Sequence, residues 1–221
     1  MSRRRPRQVA GVLFDCYGTL IDILTDEHDI RTYRCLSRWL FYQGVRIAPE
    51  SLRDCYLRRV REAADRTGER YPEVRVEGVF AGICAEHGMW EADFDRLGVE
   101  AARAFRAASL RRLGVIGKSR RLLDLFGAKT LGVVSNGQRV FSEREMRVLN
   151  LYDRFEVVVF SSDLGYKKPD PRIYAVALTR MGLRPPDVLF IGDTCEDDIF
   201  APRRLGMQAL HVKEAWRRYG A

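Results

Sequence analysis

The stretch VAGVLFDCYGTLID, Val9 to Asp22, constrains this chain most. Its apolar run, Val9 to Phe14, is long enough for one strand and stops abruptly at Asp15. Uninterrupted apolar runs of this length fit a strand of a parallel sheet buried on both faces. A carboxylate directly after such a strand stands at its carboxyl end, where open α/β sheets place their ligands. Gly18 lets the chain turn sharply just beyond. Taken alone, Asp15 fits a turn cap equally well, so its meaning depends on the other strand ends.

From Gly117 onward, strand and helix patterns alternate. SRRLLDLFG, QRVFSEREMRVLNL and PDPRIYAVALTRMGL read as helices; TLGVVSN, EVVVFSSD, DVLFIGD and QALHV read as strands, with EDDIFAPRRLGM a short helical piece before the last. Such alternation with short connections predicts a parallel sheet covered on both faces. Leu20 to Asp29 reads as a loop or short hairpin. From there to Leu113 only helical signals appear: an apolar stripe at Ile30, Tyr33, Leu36, Leu40 and Phe41 closed by Gly44, a helix opened by Pro49, a third over Val74 to Glu86, and a fourth over Glu91 to Leu113. The expected fold class is therefore α/β, a Rossmann-like three-layer core from residues 1–23 and 114–221. An all-helical insert over 24–113 interrupts it.

Composition narrows the function classes. The five cysteines are scattered without a CxxC pair or a Cys/His cluster, which argues for a reducing, cytoplasmic setting and against a disulfide framework or zinc site. Cys16 and Cys195 read as small fillers, and His28, His87 and His211 follow no ligand pattern. Trp39, Trp90 and Trp216 read as packing residues. No apolar run approaches the roughly 20 residues of a membrane helix, and Asp15 breaks the resemblance of the N-terminus to a signal peptide. The net charge is +8, but the basic residues are spread along the chain. Only Arg3, Arg4, Arg5 and Arg7 cluster, and these read as a solvated arm rather than a nucleic-acid footprint. A positive field suits recruitment of a small anionic substrate.

Three further strand ends carry reactive groups. Ser135-Asn136-Gly137 offers a hydroxyl, an amide and a freed backbone, a candidate anion cradle; its plain alternative is a helix cap. Lys168 stands against Pro169 after the next strand. Gly192-Asp193 is followed by Glu196, Asp197 and Asp198, a carboxylate group suited to a hard divalent cation or, more plainly, to the first turn of a helix. Together these residues put Asp15, Ser135, Lys168 and Asp193 on one edge of one sheet.

With Asp15-Cys16-Tyr17-Gly18-Thr19, Val134-Ser135-Asn136-Gly137, Lys168-Pro169-Asp170-Pro171 and Gly192-Asp193 with Asp197-Asp198 in order, the chain resembles the haloacid dehalogenase superfamily of hydrolases. The insert resembles the helical cap that follows the first motif in one large subgroup. The resemblance implies Asp15 as the nucleophile of a covalent intermediate and Lys168 as the cation that offsets charge. Thr19, Ser135, Asn136, Gly137 and Lys168 are its implied substrate-binding set. It further implies Mg²⁺ held by Asp15, the backbone carbonyl of Tyr17, Asp193 and Asp198, the last preferred to Asp197.

One position departs from the phosphatases of that family, which carry an aspartate as general acid where this chain has Tyr17. Tyrosine there is typical of the metal-free L-2-haloacid dehalogenases, and Lys168 with Tyr174 also resembles them. Those enzymes lack the Gly-Asp motif that this chain retains. Several carboxylates at one site repel one another unless a cation is present, so the expectation is a Mg²⁺-dependent hydrolase of small phosphate esters. A biased preference for acidic leaving groups is expected, because a phenol with a pKa near 10 is a poorly matched acid. A haloacid dehalogenase is the alternative, and a catalytically weak binding protein the third reading. The substrate expected is a phosphorylated metabolite, for a monomer or homodimer.

Overall fold

The computed structural model describes residues 9–221; the arginine arm at Arg3, Arg4, Arg5 and Arg7 lies outside them. The core is one five-stranded parallel sheet. Its strands are β1 (Gly11–Phe14), β4 (Thr130–Ser135), β5 (Val157–Phe160), β6 (Val188–Gly192) and β7 (Gln208–His211), in the order β5-β4-β1-β6-β7. The continuous apolar runs predicted this burial: every residue of β1 and β6 is buried. Successive side chains pass to opposite faces. Val12 and Phe14 enter one apolar cluster with Leu122, Val133 and Ile191, while Leu13 enters another with Val134, Tyr174 and Phe190. The central strand is β1, and the chain builds first to one side of it and then to the other, so Asp15 stands where the strand order reverses.

Helices α5 (Gly117–Leu125), α6 (Arg139–Val148), α7 (Pro171–Met181) and α9 (Val212–Tyr219) connect or follow the strands, with the short α8 (Ala201–Arg204) after a π-helical turn, Cys195–Phe200. The last helix was not anticipated. His211 caps it through Nδ1, which accepts from the Lys213 N–H at 3.2 Å.

The insert forms α1 (Ile30–Tyr42), α2 (Pro49–Arg66), α3 (Val76–His87) and α4 (Phe94–Ser109). Proline opens α2 as expected. The stripe on α1 buries Tyr33, Leu36 and Leu40, but Phe41 is 55% exposed. Tyr33, Tyr56, Phe80 and Phe105 make an aromatic centre, with Tyr56 stacked on Phe80 at 4.9 Å between centroids. Val140 and Phe141 of α6 join this cluster, so the insert and the core share one packed seam.

Two sequence readings need correction. The fourth helix ends at Ser109, and Leu110–Val115 is a strand, β3; Leu20 to Asp29 contains its partner, β2 (Ile21–Thr25). The two pair antiparallel as the ribbon through which the chain enters and leaves the insert. A mixed segment such as LRRLGV lacks strand periodicity of its own, and its conformation comes from pairing across the sequence. Among the described residues no helix is long and apolar enough to cross a membrane.

Candidate active site

Asp15 is the first residue beyond β1, and its N–H donates to the Ile191 carbonyl at 2.9 Å. The turn after it is closed by three backbone bonds: Gly18 N–H to the Ile21 carbonyl at 2.9 Å, and Leu20 and Ile21 N–H to the Cys16 carbonyl at 2.7 and 3.0 Å. Gly18 has φ +78°, and a β-carbon there would lie 2.4 Å from Asp193 Oδ2. Only glycine combines that dihedral with that close approach.

Lys168 points its ammonium at two carboxylates, 2.7 Å from Asp15 Oδ1 and 2.7 Å from Asp198 Oδ1. Asn136 fixes the lysine's backbone from the tip of β4: its Oδ1 accepts from the Lys168 N–H at 2.7 Å and its Nδ2 donates to the Lys168 carbonyl at 3.1 Å. Asp198 accepts through Oδ2 from the N–H groups of Asp193 and Thr194, at 3.1 and 2.9 Å. It therefore shapes the loop that carries Asp193.

Carboxylate oxygens of Asp15, Asp193 and Asp198 lie within 4.8 Å of one another. Burial pushes the Asp15 carboxyl up to about 7, with Asp198 and Asp193 adding to the rise and Lys168 opposing it. Burial also opposes the charge of Lys168, but Asp15 and Asp198 outweigh it and hold the ammonium above its ordinary range. This is a site with more buried negative charge than one lysine neutralises. An oxygen donor set of this kind fits a hard divalent cation.

Beside it, the Ser135 hydroxyl is buried and has no hydrogen-bond partner among the described residues. Buried hydroxyls are normally satisfied, and an orphan at a strand tip is a group held ready for a ligand. A β-carbon on Gly137 would come 3.2 Å from Ser135 Oγ and 2.6 Å from Ser142 Oγ, so glycine keeps this cradle open.

Several residues singled out from the sequence are placed differently from their expected contacts. Thr19 is fully buried and donates to Asp193 Oδ1 at 3.3 Å, so its hydroxyl steadies a carboxylate. The Asn136 side chain is committed to Lys168 and to Asp197 Oδ2, at 3.1 Å. Tyr174 donates to the Asp197 carbonyl and braces the acidic loop. Cys16 is buried and Cys195 exposed, and neither is paired.

Tyr17 turns its hydroxyl to α6. It lies 2.7 Å from Ser142 Oγ and donates to Glu145 Oε2. Burial, then the neighbouring Cys16 and Glu145, raise its phenol far above the ordinary value. Neither Ser142 nor Glu145 stood out in the sequence, since both lie within an ordinary amphipathic helix. Their spacing of three, one helical face, was the only available signal. Glu73 of the insert was missed too: it accepts from Gln138 Nε2 at 2.9 Å and Ser161 Oγ at 2.7 Å, beside the Gly137 cradle.

The residue pattern of the haloacid dehalogenase-like hydrolases matches residues 9–206. The chain is a haloacid dehalogenase-like hydrolase. Among its relatives, a glyceraldehyde 3-phosphate phosphatase of Methanopyrus kandleri is 31% identical over 83 residues, which are 38% of this hydrolase and 36% of that protein. A pyrimidine 5'-nucleotidase of Escherichia coli is 29% identical over 137 residues, 59% of this chain and 60% of its own. This hydrolase thus spans about a third to three fifths of the length of these two relatives. Its fold is shared with a 2-haloacid dehalogenase of Pseudomonas syringae, at TM-score 0.63 and 23% identity over 91% of this chain and 85% of that one.

Proposed function

We propose that this chain is a Mg²⁺-dependent phosphatase of small phosphate esters that works through an aspartyl-phosphate on Asp15. The observation that carries the reading is the pairing of two features at one sheet edge: three carboxylates within 4.8 Å of one another, and the orphaned Ser135 hydroxyl. Asp15, the Tyr17 carbonyl, Asp193 and Asp198 would hold the cation. When bound, it supplies positive charge that offsets the carboxylates and the phosphoryl oxygens.

Ser135 donates to a phosphoryl oxygen, and Lys168 neutralises charge on Asp15 and on the transferring group. An Asp15 oxygen attacks phosphorus, the bond from phosphorus to the ester oxygen breaks, and the ester oxygen leaves as its anion, which takes a proton from solvent. Water then attacks the aspartyl-phosphate at phosphorus, releasing inorganic phosphate and restoring Asp15. Tyr17 takes no part as acid, because its proton is committed to Glu145. Esters whose leaving groups need little protonation are therefore the favoured substrates.

The test is phosphate release from p-nitrophenyl phosphate with Mg²⁺, in EDTA, and with Asp15→Asn. Release that needs both the cation and Asp15 supports the reading; release indifferent to either contradicts it. Tyr17 favours a second reading, metal-independent displacement of halide from a 2-haloacid. The carboxylate group opposes it, since a cation held there would withdraw the negative charge that Asp15 needs for attack at carbon. Halide release from 2-chloropropionate that persists in EDTA would replace the first reading by the second.

A further inference from the structure

Glu145 is buried on α6, and the reaction as described gives it no role. It accepts the Tyr17 hydroxyl through Oε2 and forms an ion pair through Oε1 with Arg106 Nε, at 3.3 Å, in a geometry that makes no hydrogen bond. Arg106 belongs to α4 of the insert. Its Nη1 lies 2.9 Å from Glu27 Oε1, on the segment between β2 and α1, and its guanidinium stands 4.3 Å from the Phe141 ring centroid. Glu145 and Arg106 are 6% and 17% exposed at their side chains, so the pair is largely shielded from water. One continuous chain of polar contacts therefore runs from the turn that carries the nucleophile, through α6, into the insert.

This chain gives the turn one of its two side-chain anchors, the other being the bond from Thr19 to Asp193. Three backbone bonds close residues 16–21, and the Tyr17 hydroxyl fastens them to the rest of the protein at Ser142 and Glu145. A buried carboxylate needs a counter-ion, and removing one partner of such a pair is strongly destabilising. Among the described residues, the ion-pair partner of Glu145 is Arg106, on α4. Its seat under Tyr17 thus requires α4 to be docked against α6.

We propose that Glu145 and Arg106 are positioning residues for Asp15: through Tyr17 they fix the nucleophile's turn and make its geometry depend on the docking of the insert. The inference rests on Asp15 as nucleophile only for its catalytic consequence; the structural coupling stands apart from the reaction.

Hydrogen exchange of the full chain tests the coupling without reference to activity. In Arg106→Met, which keeps an apolar stem over Phe141 and removes the charge, the amides of Gly18, Leu20 and Ile21 are expected to exchange about tenfold faster, while amides in the middle of α2 do not change. Arg106→Lys restores protection. Should Arg106→Met fold poorly, Glu145→Gln supplies the second arm: with the carboxylate gone, adding Arg106→Met brings no further increase at residues 18–21. In turnover of p-nitrophenyl phosphate, Tyr17→Phe and Arg106→Met each lower kcat by about five- to tenfold, and the double variant falls no further than the worse single one, because both break one chain of contacts. Faster exchange confined to α4, or kcat losses that multiply, overturns the proposal. A wild-type chain that releases no phosphate contradicts the phosphatase reading instead, and exchange at residues 18–21 still decides the coupling.

Discussion

The Lys168 ammonium lies 2.7 Å from Asp15 Oδ1 and the same distance from Asp198 Oδ1. Lys168 is thus counter-ion to the proposed nucleophile and to a proposed metal ligand at once. Its own backbone is clamped by Asn136, so the charge is held by β4 as much as by the loop that carries it.

Replacing Lys168 by Met leaves three neighbouring carboxylates with no cation in contact. Removing one member of a buried pair costs about 3–5 kcal/mol, so Lys168→Met is expected to lower the thermal midpoint sharply and to abolish phosphate release. Added Mg²⁺ recovers part of the stability and none of the activity. Thermal unfolding with and without the cation checks both; a variant as stable as the wild type without metal would show that Lys168 is not the neutralising group.

Asp15 gives a pH dependence of defined sign. Its carboxyl is raised from 3.8 to about 7 in the folded chain, so the fold prefers the protonated acid. The contribution is fully present below 3.8 and is lost as pH rises through about 7. Metal-free protein should therefore lose stability across that window, and Asp15→Asn should flatten the fall. Mg²⁺ binds the ionised form, so its apparent affinity should rise over the same window, with proton release measurable by calorimetry in buffers of different ionisation enthalpy. Affinity independent of pH below 7 would contradict this.

The two later aspartates should fail differently. Asp198 is buried and accepts two loop N–H groups besides Lys168, whereas Asp193 is bonded through its side chain to Thr19. Asp198→Asn is expected to weaken cation binding and lower the thermal midpoint; Asp193→Asn is expected to weaken binding at nearly unchanged stability. Gly18→Ala should resemble Asp193→Asn with added strain, because its β-carbon would collide with that carboxylate. Isothermal titration and thermal unfolding of the three variants separate the effects.

Tyr17 predicts the leaving-group preference. With its proton donated to Glu145, aryl phosphates should outpace alkyl phosphates by a factor on the order of 10²–10⁴, the usual worth of a general acid. Tyr17→Phe should slow both classes and leave their ratio unchanged. A ratio that widens in the variant would identify Tyr17 as an acid after all.

The sequence made the sheet legible because strands buried on both faces need continuous apolar runs, and β1, β4, β5 and β6 each have one. Asp15, Ser135 and Asp193 drew notice for the same reason, since a polar residue ending such a run has few structural uses; Lys168 stood out beside its proline, and Asp198 came from the family resemblance. The β2–β3 ribbon was hidden because IDILT and LRRLGV carry no strand period and acquire their conformation by pairing with each other. Thr19 and Asn136 were expected to bind substrate; in the structure their hydroxyl and amide bond Asp193 and Lys168, which only three-dimensional placement reveals. Glu145 and Arg106 were invisible for a similar reason: each is one charged residue among many on a helix, and their partnership joins α6 to α4.

The central claim is a covalent phosphoryl group on Asp15, and rapid acid quenching during turnover of p-nitrophenyl phosphate with Mg²⁺ tests it most directly. Mass spectrometry of the peptide containing Asp15 should show one phosphoryl group, absent in EDTA and removed by hydroxylamine as expected of an acyl phosphate. Turnover with an unmodified Asp15 peptide at every quench time, or with the phosphoryl group on another residue, would contradict the account.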